Sequence, residues 1–175
     1  TKEGCHWLDL FYLVGGRSPF ARVCAFGGLD VLADIQEVDD NGVMILKYQN
    51  GVRAFYGWSY FRASRPGWGM AVFGDRGSMR GDFNALYVEN DEGEKTIDVY
   101  EEAGHSYRTG HHGYYEMHDA FAAMIREGRE PYSNARTGLE NELTGYAGQW
   151  AVMENRMVTR EEAEAALGED RERDK

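Results

Sequence analysis

The opening stretch TKEGCHWLDLF places Lys2 four residues before His6 and Asp9 three residues after it. At about 100° per residue these three groups and Leu13 fall on one side of a helix, next to an apolar side of Trp7, Phe11 and Val14. A neutral imidazole takes or gives a proton near neutral pH. Asp9 would favour its charged form and Lys2 would oppose it. The spacing therefore points to an acid–base cluster facing a cleft, with a structural capping or core role for His6 as the alternative.

Four further histidines stand at 105, 111, 112 and 118. A metal reading would gather His105, His111 and His112 with Glu116 or His118, although no two of these histidines have the i, i+4 spacing of a helical zinc site. GHHGYY is also a glycine-flexed, aromatic loop that could close over a polar ligand, and loop histidines of this kind are also simply solvated. No G-x-G-x-x-G, no G-x-x-x-x-G-K-[ST], no G-x-S-x-G, no H-E-x-x-H and no C-x-x-C occurs. The chain thus shows no dinucleotide fingerprint and no phosphate cradle of its own. GDRG at 74–77 reads as a hairpin turn.

The elements that must carry these groups are legible in outline. Gly4 to Val14 reads as a helix ended by the glycines at 15 and 16. FARVCAF, VMILKY and VRAFYGWSYF read as strands, the last two joined at Asn50-Gly51, a strong hairpin signal. In VRAFYGWSYF, Val52, Ala54, Tyr56, Trp58 and Tyr60 point one way and Arg53, Phe55, Ser59 and Phe61 the other. Neither face is cleanly polar, so one is expected to take helices and the other a partner or a pocket. Strands around the GDRG turn and at TIDVYE follow. A helix over His118 to Glu127 is expected to bury Phe121, Met124 and Ile125. A longer one over Ala135 to Asn155 presents Leu139, Leu143, Tyr146, Ala147 and Trp150. TREE at 159–162 is a capping box for a short last helix, and GEDRERDK reads as a frayed charged tail. The order predicts an α+β fold: an open, mostly antiparallel β-sheet with helices packed on one face.

At 175 residues the chain can bury a real core. Its net charge of −11 argues against a nucleic-acid surface, and no apolar run reaches membrane-spanning length. Two cysteines, Cys5 and Cys24, form neither a metal motif nor a disulfide framework, so a reducing, cytoplasmic setting is expected.

Taken in order, these motifs resemble the C-terminal domain of the glucose–fructose oxidoreductase/inositol dehydrogenase (Gfo/Idh/MocA) family. EGCHWLDLFYLVGG is similar to the family's opening G-x-H-x-x-D helix, here Gly4, His6 and Asp9. ILKYQNGVRAFYGWS is similar to its strand, Asn-Gly turn and strand, VFGDRGSMRGDF to its G-[TD]-x-G-S turn, and HGYYEMHDAFAAMIREGREPYSNARTGLENE to its closing helices. The likeness covers residues 1–158, with 159–175 as the short helix and tail. It implies a substrate-binding and oligomerisation domain of an NAD- or NADP-dependent dehydrogenase acting on a sugar, cyclitol or other polyol. The cofactor-binding Rossmann domain would precede Thr1, so this chain alone is expected to bind no cofactor and to be inactive. The resemblance maps acid–base or hydroxyl-binding chemistry onto His6. Where the family commonly has aspartate, this chain has Lys2, which would polarise or hold substrate oxygen while Asp9 orients the cluster and His111 and His112 approach substrate. It further implies a homo-oligomer paired through the open sheet face. Two other expectations stand beside it: a non-catalytic binding or assembly module using Tyr56, Trp58 and Tyr60, and a metal-dependent hydrolase on the loop histidines.

Overall fold

The computed structural model describes residues 4–60, 69–82, 84–99, 101, 114–131 and 133–173. The chain divides into two compact units, Thr1–Ala63 with Tyr132–Lys175, and Ser64–Pro131.

In the first unit, helix α1 (Gly4–Val14) is followed by strands β1 (Phe20–Gly28), β2 (Asn41–Tyr48) and β3 (Arg53–Ser59). Helix α3 (Ala135–Glu154), the short strand β8 (Val158–Thr159) and helix α4 (Arg160–Arg173) complete it. The sheet runs β3-β2-β1-β8, antiparallel at each pairing. Alternate residues of β1 and β2 point to the same side, and Val23, Ala25, Met44, Leu46 and Tyr48 form the buried face with Phe20. Helix α3 covers that face through its small residues. A Cβ on Gly148 would collide with Met44 Cε, and Ala147 and Ala151 are fully buried. Of the expected side, Leu143 and Ala147 are buried and Trp150 packs against the core, while Leu139 and Tyr146 remain exposed and Thr144, Gly148 and Ala151 turn inward in their place. Close approach of helix to sheet selects small side chains over large ones here.

Local chemistry fixes the element ends. The α1 exit is a left-handed turn at Gly16 and Arg17, with Arg17 N–H donating to Tyr12 O at 2.7 Å. The β2–β3 hairpin turns at Asn50-Gly51 as expected, and Asn50 Nδ2 donates to Gly15 O at 2.8 Å, tying the hairpin to the end of α1. Asn134 and Thr137 form a reciprocal capping box on α3. Thr159 and Glu162 do the same for α4, with Thr159 N–H donating to Glu162 Oε2 at 2.7 Å. Helix α4 continues to Arg173, so the expected frayed tail is helical backbone over most of its length. Arg160 clamps it to α3 by a bidentate pair with Glu140, both contacts 2.7 Å.

The β1–β2 loop is organised around Asp40, which is fully buried. Its carboxylate accepts N–H bonds from Asp30, Val31 and Leu32 and from Asn41 Nδ2. Burial alone would raise its pKa, but these four donors overcome that and hold the carboxyl well below the usual range.

The second unit holds a meander of β4 (Met70–Gly74), β5 (Gly77–Gly81), β6 (Ala85–Asn90) and β7 (Gly93–Asp98), then helix α2 (Tyr114–Glu127). The GDRG turn is confirmed as a hairpin between β4 and β5. Strand β6 escaped the sequence reading because its residues alternate weakly. Asp82 begins it, accepting N–H bonds from Asn84 and Ala85, which depress its carboxyl pKa. Helix α2 begins at Tyr114, four residues before the expected start at His118, and buries none of its residues. Phe121 and Ile125, expected in a core, are 56% and 67% exposed.

The fold is therefore α+β, as expected, with its described strands in two open antiparallel four-stranded sheets where one was expected. Among the described residues, no helix is long and apolar enough to cross a membrane.

Candidate active site

Helix α1 positions the acid–base residues, and its packing fixes which of them reach solvent. Gly4 and Leu8 are buried and Phe11 packs against the core. Leu8 packs on α3 at Gly145, where even an added Cβ would sit at ordinary contact distance, 3.6 Å from Leu8 Cδ1. The packed side of the helix is therefore Gly4, Leu8 and Phe11, rotated from the expected Trp7, Phe11 and Val14. The helix turns this side toward α3, against which Leu8 packs, a contact that the sequence pattern does not contain.

That rotation leaves His6 exposed, with no hydrogen-bond partner among the described residues. Asp9 is half-buried and accepts a 2.9 Å bond from Asn141 Nδ2 on α3. The two groups thus stand in different environments. His6 is open to an incoming molecule, while Asp9 is bound into the contact between α1 and α3. Lys2, His105, His111 and His112 lie outside the described residues. His118 and Glu116 are exposed on α2. Among the described residues, no group of three or more His, Cys, Asp or Glu side chains could hold a metal ion.

Sequence reasoning had no signal for Asn141, which meets Asp9 from 132 residues away. It also assigned the wrong role to the aromatic row of β3. Ala54, Tyr56 and Trp58 turn toward the core, not outward as an interaction surface. Tyr56 stacks on Trp58 with centroids 5.4 Å apart and meets Phe11 edge-on at 6.2 Å. The side chain at Val52 lies beside Gly15, and Tyr56 lies beside Phe11, so β3 runs toward the N-terminal half of α1. Trp58, two residues further along, therefore sits toward the His6 end. Its indole N–H is buried and has no acceptor among the described residues.

Glycine-rich turns in the described residues either end a helix, as at Gly15-Gly16, or join strands, as at Gly74 and Gly77. None opens a helix, which is the arrangement that cradles a dinucleotide pyrophosphate. The second unit has a shallow depression of about 490 Å³ where Arg80 lies over Tyr87 at 5.8 Å, but its carboxylate, Asp82, is committed to the turn before β6.

Residues 2–80 match the model of the GFO/IDH/MocA C-terminal domain, so the resemblance read from the motifs holds over the stretch carrying His6, Asp9 and the Asn-Gly hairpin. Curated proteins gave no match. Among solved structures, the chain is similar to levoglucosan dehydrogenase in complex with NADH and levoglucosan, at TM-score 0.74 and 19% identity, covering 89% of this chain and 48% of that one. An oxidoreductase from Agrobacterium radiobacter in complex with NAD+, L-tartaric acid and magnesium gives TM-score 0.73 and 19% identity, covering 90% and 47%. Aldose–aldose oxidoreductase from Caulobacter crescentus complexed with glycerol gives 0.69 and 21%, covering 89% and 45%. These likenesses show the fold, and the chain spans about half the length of each of these structures.

Proposed function

We propose, from the GFO/IDH/MocA C-terminal-domain match of residues 2–80, that this chain is the substrate-binding half of an NAD- or NADP-dependent dehydrogenase acting on a sugar, cyclitol or related polyol. The carrying observation is His6: an exposed imidazole with no hydrogen-bond partner among the described residues, on a helix held by Leu8 against α3 and by the Asp9–Asn141 bond. The nicotinamide, held outside this chain, would supply hydride transfer. His6 takes the proton from the substrate hydroxyl as the carbonyl forms and returns it in the reverse direction. Asp9 acts as a positioning residue, because its carboxylate is bound to α3 and keeps the polar side of α1 turned outward. Lys2, four residues before His6 in the sequence, holds or polarises the substrate oxygen, and His111 and His112 contact the remaining hydroxyls. Cys5 and Cys24 are in no disulfide, which fits a reducing, cytoplasmic setting. Pairing into a homo-oligomer through the outer face of the first sheet completes the reading.

His6→Ala in the longer protein tests it. Turnover of polyols should fall by about 10²–10⁴-fold, the usual contribution of a general acid–base group, while assembly stays intact. Lys2→Met should raise KM more than it lowers kcat. Unchanged turnover in His6→Ala would favour the second reading, a binding and assembly module. That reading draws support from the outer sheet face, where Phe26, Ile45 and Phe55 are 57%, 52% and 65% exposed.

A further inference from the structure

The sequence holds two Asn-Gly pairs, Asn41-Gly42 and Asn50-Gly51, and the fold treats them differently. Asparagine before glycine is chemically reactive, because no side chain on the second residue shields its backbone nitrogen. That nitrogen attacks the asparagine Cγ. The N–Cγ bond forms, the Cγ–Nδ2 bond breaks, and Nδ2 leaves as ammonia with the glycine's amide proton. Water then opens either carbonyl of the succinimide ring, leaving aspartate or isoaspartate. The attack requires the asparagine backbone to rotate out of its folded conformation, so the freedom of the segment to open sets the rate. Asn41 begins β2 and is paired with Gly28 on β1 and with Ser59 on β3. Its Nδ2 donates to the Asp30 and Asp40 carboxylates at 2.6 and 2.8 Å. The space beside Gly42 is filled by the Trp58 ring and Phe26 O, with which an added Cβ would collide. Rotating this backbone breaks the ladder on two sides.

Asn50 instead stands at an exposed hairpin tip, where an added Cβ on Gly51 would meet nothing within 4 Å. A few bonds at one joint hold it. Its N–H donates to Ser18 Oγ at 3.1 Å and its Nδ2 to Gly15 O at 2.8 Å. Val52 N–H donates to its Oδ1 at 3.1 Å, and Gly51 N–H donates to Tyr48 O at 3.0 Å. Opening this joint alone frees Cγ and the attacking nitrogen together. We propose that Asn50 is a deamidation site of the folded chain, gated by the joint between the β2–β3 hairpin and the exit of α1, and that its conversion unfastens that exit. In the product a carboxylate stands where Nδ2 donated, so one acceptor faces another at Gly15 O. The new negative charge also lies at the C-terminal end of α1, the negative end of the helix dipole. Isoaspartate further lengthens the backbone of a tight turn. The site follows from the geometry of the joint and does not depend on the polyol reading.

Peptide mapping of the whole chain after incubation in mildly alkaline buffer tests the site, since cleavage after Lys47 puts the two asparagines on different peptides. In the folded chain Asn50 should convert at least ~10-fold faster than Asn41, whereas in urea the two should convert at similar rates. Equal conversion in the folded chain overturns the proposal, as does an Asn50 that stays an amide over the period in which urea converts it. The consequence is read by amide exchange in two samples. One is the converted chain, separated by its added charge; the other is Asn50→Asp, which carries the carboxylate without the longer backbone. The Gly15, Gly16 and Arg17 amides, which close α1, should exchange about 3- to 10-fold faster in both. Unchanged protection of these amides in both samples would show that the exit does not need the Asn50 amide, and would overturn the unfastening.

Discussion

Strands β1 and β2 carry Phe20, Val23 and Leu46 at no more than 1% exposure, whereas no described residue of β4 to β7 is buried. The two sheets start from comparable material. Both are antiparallel, both turn on glycine, and both alternate apolar residues on one side: Val23, Ala25, Met44 and Leu46 in the first, Met70, Val72, Met79, Leu86 and Val88 in the second. The difference is what lies over them within each unit. Helices α1 and α3 seal one side of the first sheet, and glycine and alanine on α3 let that seal close tightly. The second sheet is held by its ladder and its turns. A strand pattern therefore specifies pairing, while burial depends on a second layer that the pattern does not contain.

Leu46→Ala against Val88→Ala is the most direct way to break this contrast. The first should cost about 2–5 kcal/mol, as expected for a fully enclosed leucine. The second should cost about 1 kcal/mol or less. Site-resolved amide exchange under native conditions separates the units, and equal losses would erase the distinction. Next in size is an alkaline effect confined to the first unit. Burial pushes the Tyr48 hydroxyl up to about 12. The folded state thus holds that proton more tightly than the unfolded one, so its contribution is complete below pH 10 and is lost as pH rises toward 12. The loss amounts to about 2–3 kcal/mol by linkage, and Tyr48→Phe should flatten this limb of the stability curve. Asp40 has the opposite sign. Its depressed pKa makes its contribution complete above the ordinary carboxylate range and lost as pH falls, so acid should loosen the β1–β2 loop before the strands, as seen in the exchange of Val31 and Leu32 amides.

A further substitution sharpens the account of the second sheet. Gly77 has φ 154°, and an added Cβ would run into Glu89 O. Gly77→Ala should cost about 1–2 kcal/mol, felt by β5 and β6 and absent from β1 and β2. The smallest effect is expected at Trp58. Trp58→Phe removes a buried donor that has no acceptor among the described residues, so the lost packing is offset and stability should change by less than about 1 kcal/mol. A larger fall would mean that this N–H has an acceptor.

The parts legible in the sequence are those decided within a few residues. Gly4–Val14 was bounded correctly because the glycines at 15 and 16 end it, the Asn50-Gly51 turn because few residues accept its backbone, and the α4 start because Thr159 and Glu162 cap each other. The parts that were not legible depend on contacts across the fold. The packed side of α1 depends on the contact of Leu8 with α3, the inward side of α3 on Met44 beneath Gly148, and the fate of Asp9 on Asn141. The orientation of the β3 aromatics falls in the same group: alternation showed that Tyr56 and Trp58 share a side, but only the covering helix decides which side that is. His6 could be singled out from its type and spacing, whereas its openness to solvent follows from the packing of Leu8.

Helix α1 is fastened at two places along its length, by Asn50 at its exit and by Asn141 at Asp9. The turn bearing His6 is itself held by the buried Gly4 and Leu8, so of this turn the imidazole is what reaches outward. Adjustment to an arriving molecule is thereby left to the side chain, and the imidazole can swivel without disturbing the core. Loosening either asparagine would transfer that freedom to the whole rod, blurring where the ring points while leaving the ring itself in place.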